Sequence, residues 1–316
     1  MIWRFILARG AMLVVTLLIA SFVIFAAMHL TPGSPLAALS GGKSISEEAM
    51  AALEAKYHLD QPFLAQYWIW LTNALQGDLG TSILLNQGVS GLIAQRAWIT
   101  LALVAYASAL IVVIGVGLGL LAGLRPGWVD SSVVVASATA TAIPSFIAAV
   151  LFMLVFSVGL GWFPAIGIGS GFVDVLWHLT LPALALALSA MAVVTRITRA
   201  SIRQEAGSEH VQTAVSRGIP SRLIVSRHIL RNAAIPITTA SGTMIAALIA
   251  ISAVVDQAFG LGGLGQQLVK AAQSKDLAVV QGISLVLVLA FVLMNLTVDL
   301  LYAVLDPRVK LGASAS

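Results

Sequence analysis

The 316-residue chain has 17 Lys and Arg against 13 Asp and Glu, and 59% of its residues are apolar while 9% are charged. Soluble domains carry about a quarter charged residues, so a chain of mean hydropathy +0.99 cannot clothe itself for water and takes lipid as solvent for much of its surface. With no cysteine, disulfides and thiolate chemistry are excluded as well.

Six stretches hold no Asp, Glu, Lys or Arg: 10–42, 97–124, 131–173, 175–195, 232–255 and 277–298. A helix crosses the hydrocarbon core with about 20 apolar residues, so each stretch accommodates one crossing. Five glycines and Pro164 between Gly159 and Gly171 read as loop and shorten the third. Helices are predicted near 10–29, 98–123, 132–158, 178–197, 234–255 and 281–304, which makes an all-α polytopic membrane protein of six spans. Arg4 and Arg9 precede the first apolar run. That run, Ala11 to Met28, is longer than a signal-peptide core and lacks a small-x-small exit, so an uncleaved first helix is expected.

Residues 33–95 form a polar insertion after the first span. Ser44, Ser46, Glu47 and Glu48 signal a helix start, and apolar residues recur at helical spacing through Ala49–Tyr57. A second amphipathic run, Phe63–Leu75, ends in the turn signature Gly77-Asp78-Leu79-Gly80. A solvated cap and a docking surface for an outside partner both fit this insertion.

Between the fourth and fifth spans, residues 196–232 hold seven arginines. Arg196, Arg199 and Arg203, just past the fourth span, read as positive-inside charge in contact with anionic lipid, at about 1 kcal/mol each. Glu209 to Gly218 reads as a short helix closed by a C-terminal glycine. With the N-terminus cytoplasmic, twelve Lys and Arg fall inside and five (Lys43, Lys56, Arg96, Lys270 and Lys275) outside. The positive-inside rule thus puts both termini in the cytoplasm.

Pro144 and Pro182 lie within spans, where proline makes a hinge or serves packing. Asp256 and Asp299 are the acids nearest membrane depth; proton carriage and ordinary interfacial roles are both open to them. His29 and His178 sit at span ends, and no His, Asp and Glu cluster has metal-ligand spacing, so no metal site is predicted. The chain has no G-x-x-x-x-G-K-[ST] loop, nucleophile elbow or HExxH helix, so no enzyme activity of its own is expected.

Segment 207–239 resembles the coupling loop of binding-protein-dependent ABC importer permeases. The general loop has Glu-Ala-Ala, three residues, then Gly. Here Gln212-Thr213-Ala214 precedes Gly218, and His228-Ile229-Leu230-Arg231 stands where Ile-x-Leu-Pro is usual, with a proline only at Pro236. These departures are those of the dipeptide/oligopeptide branch. His58 to Pro62, Gly77 to Ser82, Ile143 to Phe146, Gly161 to Ala165, Phe259 to Gly265 (Gly262 replacing a usual proline) and Asn295 to Arg308 resemble further family motifs in order.

The resemblance implies a type I ABC importer permease fold with an extracytoplasmic insertion between helices 1 and 2. It divides the chain into 1–30 (first helix), 31–95 (insertion), 96–305 (transmembrane domain, with coupling loop 199–232) and 306–316 (tail). It implies Glu209, Gln212, Thr213, Ala214, Arg217, Gly218 and Arg222 as ATPase-coupling residues. Ala214 would permit close approach to a groove on the ATPase. Pro144, Pro182 and Pro236 become hinge or gating candidates; Asp60, Gln61, Asp78, Gly260 and Gly263 become contacts for a binding protein. Expected partners are a second homologous permease, two ATPase domains, separate or fused, an extracytoplasmic substrate-binding protein and membrane lipid, with no nucleic acid. ATP and Mg would be bound by the ATPases, with no cofactor in this chain. The cargo would be di- or oligopeptides in a bacterial inner membrane. Glutathione, nickel chelate and haem are alternatives within the same complex type, and a proton-coupled secondary transporter is the alternative of another class.

Overall fold

The computed structural model describes residues 2–30, 60–82 and 84–305. The helix expected over Ala49–Tyr57 and the tail 306–316 lie outside the described residues. Ten helices are named here in chain order: α1 Ile2–Leu30, α2 Phe63–Leu75, α3 Val89–Leu124, α4 Trp128–Ala142, α5 Ser145–Gly159, α6 Phe172–Ala206, α7 Glu209–Ser216, α8 Ser221–Phe259, α9 Leu264–Gln273 and α10 Leu277–Leu305. Short π-helical turns interrupt α3, α5 and α8. Among the described residues, α1, α3, α6, α8 and α10 are long and apolar enough to cross a membrane, and the pair α4 and α5 makes a sixth crossing if taken as one span.

That pair corrects an expectation. A single helix over 132–158 is predicted from the sequence, but α4 and α5 are bent by 103°. Proline sterically disfavours the helical region for the residue before it. Ile143 accordingly sits at φ −91, ψ 114, and Pro144 starts a new helix instead of kinking an old one. Pro182 and Pro236, by contrast, lie inside continuous helices, the first buried and the second exposed.

Helix α6 is the hub, packed by α3, α4, α5 and α8. Close approach to α3 is made by Gly115, Gly119 and Gly123, four residues apart on one face. A Cβ at Gly119 would lie 2.5 Å from Thr198 Cβ and 2.6 Å from the Thr195 carbonyl; one at Gly123 would lie 2.7 Å from Ile202 Cγ2. The Thr195 hydroxyl also bonds the Gly115 carbonyl at 3.1 Å. Where lipid removes the hydrophobic drive between helices, such small-residue contact supplies van der Waals attraction instead.

Three span ends run past the charges that bound them in the sequence reading: those of α3 and α6, and that of α8, which begins at Ser221 and takes in Arg222, Arg227 and Arg231. α3 begins at Val89, before Arg96, because Arg96 turns inward and donates to the Gly262 carbonyl at 2.8 Å. α6 runs on to Ala206, through Arg196, Arg199 and Arg203. Arg199 and Arg203 do not simply face lipid headgroups: both guanidinium groups clasp Asp130 at the start of α4, at 2.9 Å (Arg199 Nη2) and 2.7 Å (Arg203 Nη2).

Candidate functional site

Helix α7 hangs between the ends of α6 and α8, and its sequence explains its shape. Val211 and Ala214, three residues apart, are buried against Ile202, Ile224, Ile229 and Ala233. Glu209 in the first turn suits the positive end of the helix dipole. At the other end, Gly218 N–H donates to the Val215 carbonyl at 2.9 Å and Ile219 N–H to the Ala214 carbonyl at 3.2 Å. With Gly218 at φ +70, this is a Schellman motif, and Pro220 prevents any continuation. Asn232 on α8 donates to Glu205 on α6 at 3.2 Å and lies 3.3 Å from His210 Nε2, so a polar clasp joins α7 to both long helices.

The outward face consists of Gln212, Thr213, Val215, Ser216 and Arg217, all exposed, with Val215 at 61%. The hydroxyls of Thr213 and Ser216 bond carbonyls one turn back and Gln212 bonds the Gly207 carbonyl, so the face is polar, compact and locally satisfied. Arg217 and Arg222 are exposed and form no ion pair among the described residues. Ala214 is 4% exposed. Its smallness therefore serves the packing of α7 on its own chain, not the approach of a partner from outside.

At the opposite end, Asp60 and Gln61 are exposed and linked at 3.0 Å. Asp78 is exposed too, its Oδ1 accepting from Gly80 N–H at 2.8 Å. Gly260 and Gly263 sit differently. Gly260 has φ +57 and packs on Ile166, while Gly263 is buried; a Cβ there would lie 2.5 Å from Asp256 Oδ2 and 2.7 Å from Thr100 Oγ1.

Residues 115–311 match the family described as binding-protein-dependent transport system inner membrane component, and residues 1–104 match its N-terminal companion. The chain belongs to that family. It is an ABC importer permease of the dipeptide/oligopeptide type, a multi-pass protein of the bacterial inner membrane. One relative, from Brucella melitensis, bears the name "Putative peptide transport system permease protein"; it is 38% identical over 318 aligned positions, covering 98% of this chain and 99% of its own. The glutathione transport system permease protein GsiC of Pectobacterium atrosepticum is 36% identical over 303 positions, covering 94% and 96%. A chain of the MetNI methionine ABC transporter, solved in an inward-facing conformation, shares the fold: TM-score 0.54 at 21% identity, over 68% of this chain and 96% of that one.

Four acids of the permease have roles that charge-counting did not assign. Asp256 is buried and accepts from Gly263 N–H and Gln266 N–H, each at 3.1 Å, while Thr100 Oγ1 accepts from Leu264 N–H at 2.9 Å. Together they satisfy the first turn of α9, so Asp256 is a helix cap. Asp299 on α10 pairs with Arg9 on α1 at 3.0 Å. Asp276, which sequence reasoning missed, is buried between α9 and α10 and accepts the Ser82 hydroxyl, 194 residues away in sequence. Its place immediately before an apolar run is a capping signal that would have pointed to it. For Asp130 no local signal exists; only the fold brings it to Arg199 and Arg203.

Proposed function

We propose that this permease forms half of the translocation pathway of an ATP-driven importer of di- and oligopeptides, and that α7 receives the stroke of the ATPase. What carries the reading is the construction of α7. A two-turn helix is fixed to α6 and α8 on its inner face, closed by the Gly218 turn, and exposes Gln212, Thr213, Val215, Ser216 and Arg217 outward. A lever needs that combination, because a rigid attachment passes displacement into the long helices. Glu209 supports the first turn, Ala214 and Gly218 set its seating and exit, and Arg217 and Arg222 offer charge to an acidic rim.

The complex contains a second homologous permease, two ATPase domains in one chain or two, and an extracytoplasmic binding protein; the ATPases hold ATP and Mg. Both termini are cytoplasmic, supported by the twelve-to-five distribution of Lys and Arg. Residues 31–88 then belong to the outer side of the membrane, where Asp60, Gln61 and Asp78 meet the binding protein, and the Gly260–Gly263 turn leads into α9 on that side. Pro144, at the 103° bend, is the best placed of the three prolines to act as a hinge, since neither Pro182 nor Pro236 interrupts its helix.

Uptake of a labelled dipeptide tests the mechanism. ATP depletion abolishes it, whereas an uncoupler leaves it running while ATP is maintained; the reverse pattern belongs to a proton-driven carrier. The relative named for glutathione favours a second cargo, itself a small peptide. Excess glutathione competing with dipeptide uptake would move the cargo to that tripeptide.

A further inference from the structure

Helix α2 has a face that the transport reading leaves unused. No charged residue occurs between Asp60 and Asp78, and the helix carries Tyr67, Trp68 and Trp70 within one turn. Its inner face packs on α1: Phe63 and Tyr67 meet Phe22 and Phe25 edge-on or tilted, at 5.2–6.0 Å between ring centres, and Trp70 meets Phe25 at 5.8 Å. The Tyr67 hydroxyl lies 2.9 Å from Ser21 Oγ and donates to the Leu18 carbonyl at 3.4 Å. On the other side, Leu64, Trp68 and Leu75, spaced to share one stripe, are 68%, 64% and 80% exposed.

Depth decides what covers that stripe. Helix α1 carries no charge from Gly10 to its last residue, Leu30, about 31 Å at 1.5 Å per residue, which matches the hydrocarbon core. Phe25 and Leu18 lie five and twelve residues before that end, or about 7 and 18 Å inside it. A helix seated on those residues is itself below the headgroups. Ile19 and Val23 of α1 itself are likewise apolar and exposed. We propose that α2 is embedded in the bilayer leaflet around the C-terminal end of α1, with phospholipid acyl chains against Leu64, Trp68 and Leu75. A chargeless helix with satisfied backbone tolerates that position, and its Trp and Tyr suit the boundary between acyl chains and headgroups. Within the insertion, α2 is then a lipid-held platform, not a free cap in water.

The natural absence of cysteine permits a direct test in the whole complex. Single-cysteine variants L64C, W68C and L75C, with Q87C on the exposed hairpin turn as control, are treated in intact membranes with a membrane-impermeant polyethylene-glycol maleimide, and the mass shift of the tagged chain is read. The wild-type complex, reconstituted with a phospholipid bearing a diazirine on its acyl chain, is irradiated and its adducts are mapped by mass spectrometry. The proposal predicts loss of labelling at 64, 68 and 75 until detergent is added, labelling at 87 throughout, and lipid adducts within Phe63–Leu75. Labelling of the three positions in intact membranes as at 87 would overturn it in favour of water. Protection without lipid adducts in that peptide would overturn it in favour of a covering protein.

Discussion

Gly218 allows a prediction in which size and backbone conformation give opposite rankings. Its φ is +70, and a Cβ added there meets nothing within 4 Å. Within this chain the only cost of a side chain is therefore the left-handed conformation, about 1–2 kcal/mol for an ordinary L-residue. Asn tolerates that region best and β-branched residues worst. Taking tenfold per 1.4 kcal/mol, Gly218→Asn should hold the seated α7 within about twofold of wild type, Gly218→Ala should reduce it about fivefold, and Gly218→Val about thirtyfold. The assay is peptide imported per ATP hydrolysed by the reconstituted complex, with the amount of chain in the membrane as control. The predicted order is Gly, Asn, Ala, Val. An order that follows volume, with Ala above Asn, would mean that a partner presses on this site and that the turn is not what matters. Undiminished coupling in Gly218→Val would remove the role assigned to the turn altogether.

Further perturbations address the frame that holds α7. Gly119→Leu drives a side chain into Thr198 and the Thr195 carbonyl, so α3 and α6 must part and the amount of folded chain in the membrane should collapse. Gly117→Ala, two residues away with nothing within 4 Å, should be tolerated, and equal damage from both would refute the close-approach argument. Asp256→Ala orphans the buried N–H group of Gly263, at about 1–3 kcal/mol, and the part-buried one of Gln266, at less. The unfolding temperature followed by tryptophan fluorescence should fall, and an unchanged Tm would show that α9 needs no cap. Asp130→Asn weakens the clasp to Arg199 and Arg203, and protease sensitivity near the α3–α4 turn should rise; intact resistance would mean that packing alone anchors α4.

Much of this architecture was readable one segment at a time. The bounds of α2 coincide with the amphipathic run Phe63–Leu75, and Glu209 with Gly218 bracketed α7, because each signal is local: a periodicity, an acidic first turn, a glycine. The glycine-rich loop from Gly159 to Gly171 was legible for the same reason. What the sequence hid depends on contacts across the chain. Span ends drawn at charges fall short at Arg96 and at Arg199–Arg203, since a charge whose partner lies elsewhere in the fold does not end a helix, and at Arg222–Arg231, where α8 extends beyond its apolar part. Pro144 announces a kink, but a proline in the sequence does not give its angle, here 103°. Motif spacing does not say which side of a two-turn helix faces home; the shared burial of Val211 and Ala214 does.

The central claim is that the exposed face of α7 seats on an ATPase. With a photoactivatable amino acid replacing Val215, the most exposed apolar residue of that face, native membranes are irradiated and the tagged chain is recovered with whatever is covalently attached. The account predicts a discrete adduct whose second component carries the G-x-x-x-x-G-K-[ST] nucleotide loop that this chain lacks. Adducts with lipid alone, or with a second copy of this chain, would contradict it.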